Sequence, residues 1–99
     1  MAVDATVPAL DECDILRRGG HWIALAPVEA RIVDLLLARA ERVVRRSEFR
    51  VVWPAGMPTT RAVDARLTRL RKRIAPLGIE IRSVRGRGLM MSVVHPWDG

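Results

Sequence analysis

The alternation of apolar and polar positions divides the chain into segments of two periods. Ile15-Leu16 and His21 to Leu25 are short strand-like runs on either side of Arg17-Arg18-Gly19-Gly20, which predicts a small hairpin around a Gly-Gly turn. Pro27 then opens a stretch in which Val28, Ile32, Val33, Leu35, Leu36 and Leu37 surround most of a helical circumference, predicting a buried helix over Val28 to Ala38. After a basic connection, Glu41 to Arg46, a second helix is expected from Ser47 as N-cap. Glu48 sits at its positive end, Phe49, Val51, Val52 and Trp53 are its apolar contacts, and Pro54 and Gly56 stop it. Thr59 or Thr60 caps a third helix that runs to about Ala75, where Pro76 and Gly78 break it. Ile79 to Val94 returns to alternation, with two strands joined through Val84-Arg85-Gly86-Arg87-Gly88. The architecture expected is α+β, a three-helix core with a small N-terminal antiparallel sheet or hairpin and a C-terminal β-hairpin. Residues 13–94 form the domain, residues 1–12 a flexible or strand-like arm, and residues 95–99 a tail.

The third helix has two unlike sides. Val63, Leu67, Leu70 and Ile74 recur at i, i+4, i+7 and i+11, a narrow seam for docking on a core. Arg61, Arg66, Arg69, Arg71, Lys72 and Arg73 lie off that seam, and the planar fork of arginine suits guanine edges and phosphates. Net charge sharpens the picture: +6 at pH 7 with a pI near 11.4 points to an anionic partner, nucleic acid before a membrane surface. That charge is unevenly placed. Residues 1–14 carry four acids and no base, whereas residues 61–87 carry nine Arg or Lys against Asp64 and Glu80.

The remaining composition mainly excludes. A chain of 99 residues, 49% apolar and 28% charged, is one folded domain with a modest core. Cys13 is the only cysteine, so no intramolecular disulfide forms, and a reducing cytoplasm suits the chain. The N-terminus has acids where a secretory signal has bases, and the apolar runs fall short of a bilayer span, so no membrane partner is expected. His21 and His95 lack metal-ligand spacing, Ser47, Ser83 and Ser92 lack a nucleophile context, and Gly86-Arg87-Gly88 lacks the strand-to-helix setting of a nucleotide loop. Neither catalysis, cofactor nor metal is expected. Trp22 and Trp53 flank apolar runs and are expected in the core, and Arg73, at the seam edge, is expected to be structural or solvated. Only 4% of residues are aromatic, which disfavours a reader of single-stranded RNA.

Taken in order, LAPVEARIVDLLL at Leu25, ERVVRRSEF at Glu41, Trp53, RAVDARLTRLRKRI at Arg61 and SVRGRG at Ser83 resemble the winged helix-turn-helix effector domain of OmpR/PhoB-type response regulators, over roughly Ile15 to Val93. The resemblance implies sequence-specific binding of double-stranded DNA by a transcriptional regulator of a two-component phosphorelay. Residues 60–75 would be the recognition helix in the major groove, and residues 84–88 the wing at the minor groove. Arg69 matches the position that reaches base edges. Arg61, Arg66, Arg71 and Lys72 match phosphate or nearby base contacts, Thr68 faces the same side, and Arg85, with Arg87 beside it, corresponds to the wing arginine. The resemblance also implies pairs of copies on tandem half-sites and presentation of Pro54 to Thr60 to RNA polymerase. The alternative is a winged-helix module that contacts RNA polymerase or another regulator without reading DNA. Two departures stand out. Leu89 occupies the place after the wing glycine where the family commonly has Tyr, and the second helix is one residue short between Glu48 and Trp53. The sequence lacks the acidic cluster and Lys of a phosphoacceptor domain, so an excised effector domain is expected ahead of a stand-alone regulator.

Overall fold

Two antiparallel sheets and a helical layer make up the computed structural model, which describes residues 5–94. The first sheet contains β1 (Ala9–Leu10), β2 (Ile15–Arg18) and β3 (His21–Ala24) in that order, with β2 and β3 turning at Gly19-Gly20. Helix α1 (Pro27–Ala38) follows. Strand β4 (Val43–Arg45) leads into a 3₁₀ segment, Arg46–Val52, and helix α2 (Thr60–Ile74) into a short 3₁₀ turn, Ala75–Leu77. Strands β5 (Ile79–Val84) and β6 (Gly88–Val93) close the chain, and the second sheet has the order β4-β6-β5. The fold is therefore α+β, as expected.

Several boundaries differ from the expectation. The segment after Ser47 is a 3₁₀ helix rather than an α-helix, and Arg45 rather than Ser47 precedes its first turn. Glu48 fixes that start by accepting a 2.8 Å hydrogen bond from the Arg45 N–H. Pro54 disfavours α geometry at Trp53 and has no N–H to continue an α-helical ladder, which suits termination of the segment in the tighter 3₁₀ form. The basic connection contains a strand: Val43, Val44 and Arg45 pair with Met90, Leu89 and Gly88. Within residues 1–12, Ala9 and Leu10 pair with Arg17 and Leu16, so this part is strand-like. Trp22 was expected in the core but is 60% exposed, because it lies on the outer face of β3 opposite Arg17. Trp53 is half-buried against the core, and His95 and Trp97 lie outside the described residues.

The core draws on every layer. Leu16 and Leu25 come from the first sheet and its exit, Ile32, Val33 and Leu36 from α1, and Phe49 and Val52 from the 3₁₀ segment. Leu67, Leu70 and Ile74 come from α2, and Val44, Ile79, Ile81 and Met91 from the second sheet, all buried. Each such side chain stabilises by roughly 1.5–3 kcal/mol relative to exposure, so α2 is held mainly by its seam. Glu29 helps to start α1 by accepting a 2.9 Å bond from the Ala26 N–H, which would otherwise lack a partner.

One buried residue is a cation. The Arg18 side chain, 1% exposed, donates from Nη1 to the Leu77 and Gly78 carbonyls at 3.0 and 3.1 Å, from Nη2 to Val94 at 2.8 Å, and from Nε to Thr6 at 2.5 Å. A guanidinium fits this place because its five N–H groups spread in one plane toward carbonyls of three segments. Charge-assisted hydrogen bonds offset the cost of taking the charge out of water.

Candidate nucleic-acid interface

Helix α2 begins where Thr59 accepts a 3.2 Å hydrogen bond from the Ala62 N–H, and its last turn carries Arg71, Lys72 and Arg73, which suit the negative end of the helix dipole. With Leu67, Leu70 and Ile74 buried and Val63 half-buried, a rotation of about 100° per residue turns Arg61, Thr68, Arg69 and Lys72 to the far side. All four are exposed, and Arg66 is half-buried at the flank. The Thr68 hydroxyl donates to the Asp64 carbonyl at 2.9 Å, which leaves its oxygen able to accept.

Two cations of α2 turn back onto the domain, Arg71, which the resemblance placed among the DNA contacts, and Arg73 at the seam edge. Arg71 is half-buried and donates from Nε to the Ile81 carbonyl at 2.8 Å and from Nη2 to Ser83 Oγ at 3.1 Å, so it ties α2 to β5. Arg73 pairs with Glu29 at 2.7 Å and also donates to the Ala24 carbonyl, which ties α2 to the start of α1. The two arginines flank the seam on opposite sides, so α2 is braced toward both sheets. Of the two roles expected of it, structural or solvated, Arg73 thus takes the structural one.

The β5–β6 hairpin continues to the Val84–Gly88 pair, and Arg85-Gly86-Arg87 forms the turn beyond it, closed by an Arg87 N–H bond to the Val84 carbonyl at 2.9 Å. Both arginines are exposed. Gly88 is required at the base of this turn: its φ is +153°, and an added Cβ would stand 2.0 Å from the Val44 carbonyl oxygen. The close approach of β4 to β6 at this point seats the tip on a three-stranded sheet. Arg61, Arg66, Arg69, Lys72, Arg85 and Arg87 make no ion pair or side-chain hydrogen bond among the described residues.

A cleft of about 450 Å³ separates the first half of α2 from the hairpin tip, and Met57 and Pro58 of the preceding loop reach its edge. Arg46 stands at its rim and donates to Thr60 Oγ1 at 3.2 Å. In the sequence Arg46 belongs to the basic connection, and its place in a run of bases is the signal it offers for this role. Two carboxylates elsewhere are held below the ordinary carboxylate range. Glu48 is so held by hydrogen bonds from the Arg39 side chain and then the Arg45 N–H, Asp11 chiefly by the Ile15 N–H, with Cys13 N–H and Arg17 assisting. Among the described residues no helix is long and apolar enough to cross a membrane, and no cluster of His, Cys, Asp and Glu could hold a metal ion.

Comparison with known proteins agrees with this geometry. The family described as transcriptional regulatory protein, C terminal, matches residues 20–91. No curated protein matches the chain. Among solved structures, the C-terminal domain of the nisin resistance regulator NsrR, a lantibiotic response regulator, is 26% identical with a TM-score of 0.75, over 90% of this chain and 95% of that one. The DNA-binding domain of the response regulator AdeR, in complex with an intercistronic region, is similar in fold, with 22% identity and a TM-score of 0.69 over 89% and 95% of the two chains. So is the Klebsiella pneumoniae RstA DNA-binding domain in complex with the RstA box, with 21% identity and a TM-score of 0.68 over 87% and 91%.

Proposed function

The chain belongs to the family of C-terminal domains of transcriptional regulatory proteins, and from that premise we propose that it binds duplex DNA sequence-specifically, with α2 in the major groove and the Arg85–Arg87 tip at the minor groove. One observation carries the reading: the cations on the far side of α2 and at the tip have no partner among the described residues, although the same helix pairs Arg71 and Arg73 internally. Unpaired, exposed guanidinium groups on a rigid support are suited to a polyanion. Arg69 reads a base edge, and Arg61, Arg66, Thr68 and Lys72 contact phosphates or nearby bases. Arg85 and Arg87 enter the narrow groove, where the negative potential is deeper. Arg71 supports the site as a brace between α2 and the wing strand.

The test is a selection of random duplexes at near-physiological salt, followed by affinities for cognate and random DNA. A repeated half-site is expected if two copies bind in tandem, as is a loss of about 1–3 kcal/mol at one base position for Arg69→Ala. Equal losses on cognate and random duplexes would refute base readout by Arg69.

A second surface favours a protein partner as well. Val51 is 71% exposed on the 3₁₀ segment, and Met57 is exposed on the loop that follows it. Exposed apolar side chains beside a loop suit docking of RNA polymerase or another regulator. Such an interaction would persist at salt that abolishes duplex binding. The cytoplasm is the compartment where both partners are found.

A further inference from the structure

The cleft between α2 and the wing has the chemistry of a ligand site that borders the surface offered to DNA and shares Arg85 and Arg87 with it. Its 450 Å³ lies within the roughly 300–1,000 Å³ of small-molecule sites. Its apolar wall comes from Ile32, Phe49, Trp53, Val63, Leu67 and Leu89. Three guanidinium groups, Arg46, Arg85 and Arg87, stand around that wall against a single carboxylate, Asp64, and none of the three is ion-paired among the described residues. An apolar wall with excess positive charge at its mouth matches an anion with an apolar body and disfavours both a cation and a fully polar ion. Leu89 bears on the space itself, since its half-buried side chain lines the cleft.

We propose that this cleft takes a small organic acid with a flat or short apolar body, its carboxylate meeting Arg46 and the wing arginines, and that the bound acid weakens DNA binding. The antagonism rests on the DNA-binding reading, because it follows from a contest for Arg85 and Arg87. The site itself does not. By linkage, the acid and the duplex must each lower the other's affinity by the same factor.

Calorimetric titration of the whole chain with 1-naphthoate tests the site. Saturable one-to-one binding is expected, about tenfold weaker in Leu89→Tyr, which fills the cleft, and several-fold weaker in Arg46→Gln. The neutral analogue 1-naphthalenemethanol is expected to bind about fivefold more weakly than the acid. If Leu89→Tyr does not fold, as judged by its thermal melt, Arg46→Gln on the exposed rim decides alone. Absence of saturable binding at millimolar naphthoate, or equal affinity in the variants, overturns the site. Duplex affinity measured with saturating naphthoate tests the antagonism: a fall in the native chain supports it, and no change overturns it. A chain that takes naphthoate and binds no duplex refutes the DNA-binding reading and leaves the anion site standing.

Discussion

Arg69 and Arg71 stand two positions apart on one helix in opposite surroundings. Arg69 is exposed with no hydrogen-bond partner among the described residues, whereas Arg71 donates to Ile81 and Ser83. Arg71→Ala is therefore expected to lower stability by about 1–3 kcal/mol, and Arg69→Ala by no more than about 0.5 kcal/mol, measured as shifts in urea unfolding. The helical period sets Arg71 nearer the seam than Arg69, but its bonds to β5 are legible only once the strand that receives it is known. Arg73 was partly legible, since its place at the seam edge left it structural or solvated, and the Glu29 pair decides for the first. Glu48 adds a pH dependence. Its carboxyl is held below the ordinary range, so the folded state binds fewer protons than the unfolded chain over that interval. The stability it lends is present above the unfolded value and is lost as pH falls through the lower folded one. Urea midpoints at about pH 6 and about pH 3 should show that loss, and Glu48→Gln should make it smaller.

At the scale of elements, the wing depends on how closely β4 approaches β6. Gly88→Ala drives a Cβ into the Val44 carbonyl and should cost about 2 kcal/mol or more, whereas Gly86→Ala meets no atom within 4 Å and carries only the strain of φ +73°, about 1 kcal/mol. Thermal melts of the two variants would check the order; equal losses would mean that the wing base tolerates movement of β4. Helices α1 and α2 and the wing hairpin were readable from period and punctuation, as was an N-cap at Thr59 or Thr60, of which the structure uses Thr59, because each signal lies within one segment. Strand β4 was not. Val43 to Arg45 is too short to show alternation, and its pairing partners lie more than 40 residues away. The 3₁₀ geometry of Arg46–Val52 was equally hidden, since its apolar spacing also fits an α-helix. Nor did alternation indicate which face of β3 the rest of the fold leaves uncovered, and so Trp22 was assigned to the wrong side.

For the molecule as a whole, charge separation sets the expected response to ionic strength. If about six phosphates are contacted, log affinity should fall against log salt with a slope of roughly −5, and Arg85→Ala with Arg87→Ala should flatten that slope by about 2. Anisotropy titrations across a salt series measure both, and an unchanged slope would remove the wing from the interface. The excess of bases after Arg61 was plain in the sequence, but their division into braces and free cations required the packed structure. The buried Arg18 leaves the last consequence. Thr6, near the entrance of the described chain, and Val94, at its exit, grip the same guanidinium together with the turn that ends α2. The described chain is thereby buckled into something close to a ring, and loosening it at Thr6 or at Val94 strains a clasp that also secures the foot of α2.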